Sequence, residues 1–190
     1  SRPQALPITI RSRCQSLRFS PPAHTQIEAA LILKRELPPS DTHFLTLFTE
    51  GRIGEALTLD LDVLRVRQRE CLDLVAPAAL TSITNILTSA ESLAKADRGV
   101  EVLTWLRRWI RDLVIVLVGG DREHLLHLDQ AEQLHRYAQQ ADVGSLLDLL
   151  NEIERTEQQA TRHLNVHMAL ETILLRLRDA LGLAQTGAPA

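Results

Sequence analysis

Apolar residues along this chain recur every three to four positions far more often than every second one, and that period predicts a helical protein. Ile27, Ala30, Leu31 and Lys34 share one helical face, entered through the start signal Ser20-Pro21-Pro22 and closed by Pro38-Pro39. Ser40-Asp41 can cap a second, short helix carrying Phe44, Leu45 and Phe48 and stopping at Gly51. A third pattern follows at Ile53, Ala56, Leu57, Leu61 and Leu64. Three short helices make a small bundle that buries little surface by itself.

From about Val63 the predicted helices lengthen. One runs to Val75 and breaks at Pro77, and the stretch from Ala78 to Ala96 is helical but weakly patterned. Val102, Leu103, Leu106, Ile110, Leu113, Val114 and Leu117 mark a strongly amphipathic helix with Trp105 and Trp109 on its flank. Gly119-Gly120 ends it, a natural place for positive φ. Leu128 to Ala141 and Gly144 to Thr161 supply two more helices. Asn165 caps the last, whose stripe is Leu170, Ile173, Leu174, Leu177 and Leu181. Two segments depart from this pattern. Ala5–Ile10, partly β-branched and following Pro3, reads as a short strand or extended arm, and the small-residue tail Gln185–Ala190 as disordered.

Composition narrows the architecture. Of 190 residues, 45% are apolar and 3% aromatic, so the core is built mainly from Leu, Ile, Val and Ala, which suits packed helices better than a sandwich. The net charge of −3 announces no basic nucleic-acid face. Cys14 and Cys71 form neither a CxxC pair nor a disulfide framework, and a reducing cytoplasm is the expected setting. The longest apolar run, Leu113 to Val118, is far too short to span a bilayer, and no charged-then-apolar leader pattern opens the sequence.

Arg13 is the first candidate for chemistry. An arginine just past a strand end can reach a phosphate, whose oxygens match its planar fork; the plainer alternative is a surface ion pair. The residues around it favour the first role. Leu6-Pro7-Ile8-Thr9-Ile10-Arg11-Ser12-Arg13-Cys14-Gln15 resembles the end of the AAA+ module of bacterial clamp-loader subunits, which closes on a Ser-Arg-Cys motif. Gly51-Arg52-Ile53-Gly54-Glu55-Ala56-Leu57 resembles the small-domain motif that follows it in that family. Asn165-Val166-His167-Met168-Ala169-Leu170-Glu171 resembles the ending of its collar domain. The three motifs span the chain in the family's order and correspond to the C-terminal half of such a subunit.

The resemblance implies an all-α fold. A C-terminal AAA+ remnant at 1–15 with its short strand leads into a three-helix lid at 16–62, a larger helical collar for oligomerisation at 63–184 and a disordered tail at 185–190. Where the ATP-hydrolysing gamma/tau subunits carry the sensor 2 arginine, this chain has Gly54, which has no side chain to sense nucleotide. The likeness is therefore to the delta-prime branch: a structural stator of the DNA polymerase III clamp loader, with Arg13 as an arginine finger reaching in trans into a neighbour's ATP site. Gamma/tau and delta subunits are the implied partners through the collar, with the sliding clamp and primed DNA met indirectly. The collar of a gamma/tau subunit, or an unrelated helical interaction domain, are the alternatives. No Walker A loop is present, so no bound cofactor is expected.

Other residues carry weaker signals. His163 and His167 have zinc-ligand spacing, but Asn165 between them reads as a cap, so no metal site is expected. His124 and His127 are expected to face solvent after Gly119-Gly120. Trp105 and Trp109 are read as core or subunit interface, and Ser12 and Cys14 as turn-forming residues.

Overall fold

Helix starts and stops follow the local chemistry of the chain, with several displaced from where the motifs put them. The computed structural model describes residues 22–159 and 165–183, with isolated positions 7, 9, 12, 13 and 15 before them. Helix α1 spans His24–Arg35 and begins after Ala23, whose amide donates to Gln26 Oε1 at 3.2 Å. The expected cap Ser20 lies outside the described residues. Glu36 ends α1 in the left-handed region at φ 52°. Helix α2, Pro39–Phe48, opens on Pro39, not on a Ser40 or Asp41 cap, because proline at the first helical position loses no hydrogen bond.

α2 ends as the Gly51 signal predicts. Glu50 and Gly51 take φ values of 52° and 80°, and the Gly51 amide donates back to the Thr46 carbonyl at 3.1 Å. A Cβ on Gly51 would also meet Ile27 Cδ1 at 3.4 Å. Gly51→Ala is expected to cost about 1–2 kcal/mol, read as a lower urea midpoint with unchanged slope.

The third apolar pattern divides in two. Helix α3, Ile53–Thr58, stops at Leu59, and α4, Leu61–Leu74, starts on Asp60, whose Oδ1 accepts from the Asp62 and Val63 amides. The weakly patterned stretch is likewise two helices: α5, Pro77–Thr81, and α6, Ile83–Lys95, capped by Ser82 Oγ. Helix α7 is the longest, Gly99–Leu117, and closes with Gly119 at φ 73° and the Gly120 amide bonded to the Ile115 carbonyl at 2.8 Å. Two 3₁₀ turns, Arg122–His124 and Leu128–Gln130, lead to α8, Ala131–Ala138. Helices α9, Val143–Gln159, and α10, Val166–Ala180, complete the described chain. Asn165 Oδ1 accepts from the Met168 amide, the predicted cap.

α7 is the axis of the fold. It packs against α8, α9 and α10 and also touches α4 and α6. Val102, Leu103, Leu106, Ile110 and Leu113 are buried along it, and so are Trp105 and Trp109, which belong to the core, one of the two roles expected of them. Leu170, Ile173, Leu174, Leu177 and Leu181 of the final stripe are all buried. Gly99, at the first turn of α7, is held so close to α10 that a Cβ there would lie 2.2 Å from Val166 Cγ1.

The short N-terminal helices are not a free-standing bundle. Phe44 and Phe48 of α2 meet the Trp105 ring at centroid distances of 6.3 and 5.1 Å, and one apolar cluster runs from Ile27 through α7 to Leu181. Polar contacts join the same parts. Arg35 Nη1 donates to the Ala56 and Leu59 carbonyls, tying α1 to the end of α3. Arg98 bonds Glu70 and Glu101, and Arg67 lies beside both carboxylates, linking α4 to α7.

The expected strand at Ala5–Ile10 is corrected where it is described. Thr9 is helical, and its carbonyl accepts from Ser12 Oγ at 3.2 Å. A lone strand leaves its amides without a ladder partner, whereas a turn satisfies them locally. Residues 5, 6, 8 and 10 of that segment, Thr161 and the tail 185–190 lie outside the described residues.

Candidate functional site

The predicted site residues fall at well-separated places. Arg13 follows Ser12 in a turn, and both side chains are exposed; Arg11 and Cys14 lie outside the described residues. Gly54 sits exposed in the first turn of α3, and a Cβ built on it meets nothing within 4 Å. Space for a longer side chain is therefore present where the sequence provides none. Arg52 is otherwise engaged: its Nε donates to the Thr49 carbonyl at 2.9 Å and lies 3.2 Å from Glu55 Oε2.

His127 overturns its expected exposure. It is buried, and both its ring Nδ1 and its backbone amide meet Asp112 Oδ2, at 2.9 and 2.8 Å. Asp112 is itself fully buried on α7, so this pair pins the 121–128 loop to the central helix. The signal for it was a carboxylate inside the apolar stripe Trp109-Ile110-Leu113, since a buried charge demands a partner. His124 is exposed as expected and groups with Asp121 and Glu123, all three at the surface. His167 lies 3.1 Å from Glu171 one turn along α10, while His163 lies outside the described residues.

Cys71 is buried, and desolvation pushes its thiol up to about 12, with the Glu101 charge adding to the shift. The thiolate is scarce at neutral pH. In Cys14→Ser protein, Cys71 is expected to resist iodoacetamide at pH 8 until denaturant is added; ready alkylation of the native protein would contradict that burial.

Two clefts border α2. The larger, about 510 Å³, lies between α2, α4 and the Leu126–Asp129 segment. Arg65 stands over the Phe44 ring at 4.1 Å and is spent on Asp41 and Gln68. His43 is also occupied, with one ring nitrogen 3.1 Å from Glu28 and the other 3.1 Å from the Leu125 carbonyl.

The smaller cleft, about 280 Å³, lies where α7 passes the end of α2 and the start of α1. Arg107, Arg108 and Arg111 line it. Arg108 stacks 4.0 Å over the Phe48 ring and donates to the Phe48 carbonyl at 3.3 Å. Burial, followed by the neighbouring Arg107 charge, holds its pKa below the ordinary arginine value.

With this geometry in hand, residues 64–179, more than half of the chain, match the family model for the C-terminal part of the DNA polymerase III delta subunit. The chain belongs to that family. The match runs from α4 to the last turn of α10 and so takes in the helices organised around α7. Membership places the chain among clamp-loader subunits, with a role in DNA polymerase III clamp loading and in association with other subunits of that polymerase. Among curated proteins, none matches the chain. No helix among the described residues is long and apolar enough to cross a membrane.

Proposed function

We propose that this clamp-loader chain is of the delta-prime type: a non-motor, cytoplasmic stator that holds its place in the ring while other subunits hydrolyse ATP. The observation that carries this reading is Gly54, where a position with open space around it bears no sensor arginine and Arg52 is committed elsewhere. A lid that cannot contact a γ-phosphate through this position suits a subunit that does not turn over nucleotide.

In this reading residues 1–15 end an AAA+ module, 16–62 are its lid and 63–184 the collar. The start of the family match at residue 64 is in keeping with that division. The collar supplies surfaces for gamma/tau and delta neighbours. Ile83 and Leu87 on α6 and Val143 and Leu147 on α9 are exposed apolar pairs one helical turn apart, the kind of stripe that a helical partner covers. Arg13, exposed in its turn, is the arginine finger offered to the neighbouring ATP site. The sliding clamp and primed DNA are then met through the assembly. Mixing the full-length protein with gamma and delta subunits is expected to yield a single co-eluting complex on gel filtration. Separate elution at micromolar concentration would overturn the assignment.

A further inference from the structure

We propose that the cleft between α7 and the end of α2 is a binding site for a phosphoryl group, held by Arg107, Arg108 and Arg111. This site is separate from the assembly role and concerns the isolated chain.

The case starts from unequal charge pairing. Arg107 has a counter-ion in Glu157, 3.0 Å away, although that carboxylate also accepts from Thr104 Oγ1. Arg111 donates to the His124 carbonyl, and its nearest carboxylate oxygen, on Asp112, is 3.9 Å away in a group already bonded to His127. Among the described residues Arg108 has no carboxylate within ion-pair distance. Its contacts are the Phe48 and Trp105 rings and one backbone carbonyl. Ring faces offset part of the cost of withdrawing a cation from water, but they supply no countercharge. Burial and the Arg107 charge hold the Arg108 pKa below the ordinary arginine value, and the Glu50 and Glu157 charges offset this only in part.

The cleft's other polar lining is His24 and Glu50. Glu50 is exposed on the left-handed turn after α2 and lies outside ion-pair distance of Arg108, so it weakens the site without neutralising it. The arginines at 107, 108 and 111 lie on one side of α7, and their forks suit an anion with several oxygens better than a single carboxylate. The volume, about 280 Å³, admits a phosphoryl group with its immediate substituent. Two sources share that chemistry: a free phosphate compound, or the backbone of a nucleic-acid strand lying across the opening.

Trp105 lies 5.9 Å from the Arg108 guanidinium and provides an optical reporter. The full chain is titrated at low salt with inorganic pyrophosphate and, separately, with a short oligothymidylate, followed by tryptophan fluorescence and calorimetry. Saturable binding of either probe is expected, weakened about tenfold by Arg108→Gln and by Arg111→Gln and falling with added salt. Saturation by pyrophosphate alone assigns the site to a free phosphate compound; saturation by the oligonucleotide alone, or displacement of pyrophosphate by it, assigns a strand. Because Arg108 supports the aromatic stack, its variant is checked for an intact thermal transition, and Arg111→Gln, at the surface, decides the matter if that variant unfolds. No saturation by either probe up to about 10 mM, or equal affinity in folded variants, would overturn the proposal.

Discussion

Trp105→Ala is expected to lower the unfolding free energy by about 3–5 kcal/mol, a large share of the stability of a domain this size. The indole is 3% exposed, with Phe48 at 5.1 Å, Phe44 at 6.3 Å and the His127 ring at 6.1 Å between centroids. These neighbours come from α2 and from the loop pinned by Asp112, so they cannot all collapse into the space left behind, and a cavity remains. Loss of the stack also strips Arg108 of part of its ring contact. Denaturant titration followed by circular dichroism reads the effect. A loss below about 1.5 kcal/mol would mean that the N-terminal helices are seated on α7 far more weakly than the packing indicates.

Arg13→Ala is expected to abolish most of the clamp-stimulated ATP hydrolysis at the adjoining site of an assembled loader, by about a thousandfold or more for that site. Charge accumulates on the transferring phosphoryl oxygens, and a guanidinium delivered by a neighbour stabilises the transition state without holding the ground state equally. Arg13→Lys should restore little, because an ammonium cannot reproduce the planar fork. Gel filtration must show that both variants still assemble, since Arg13 is exposed and does not support the core. Unchanged stimulated turnover in an intact complex would remove Arg13 from the reaction.

What could be read from the residues was what depends on near neighbours. The Asn165 cap, the Gly51 and Gly119 stops and the stripe of α10 each follow from side chains within a turn or two, and each stands in the structure. Long-range partnership was not legible. Trp105 and Trp109 are core, as one of their two readings had it, but their partners Phe44 and Phe48 on α2 and Tyr137 on α8 lie too far along the chain for the pattern of α7 to name them. His127 follows a glycine pair and a charged turn, and its place in the core is decided by Asp112, fifteen positions earlier, whose Oδ2 meets both its amide and its ring Nδ1. Ser20 and Ser40 are plausible caps by type, yet the helices begin at His24 and Pro39, where a glutamine side chain and a proline meet the same need more locally. The basic cleft escaped notice because its three arginines are diluted in an acidic whole, and only α2 arriving beside α7 gives them a common space.

The contact between Gly99 and Val166 has an evolutionary corollary. With 2.2 Å from a virtual methyl to Val166 Cγ1, alanine at 99 requires that the side chain at 166 shrink or turn away, or that the two helix starts separate. Relatives sharing this packing should therefore change the two sites in concert, a larger residue at one matched by a smaller residue at the other. A lineage with bulky side chains at both would have had to rebuild the junction between its longest helix and its last.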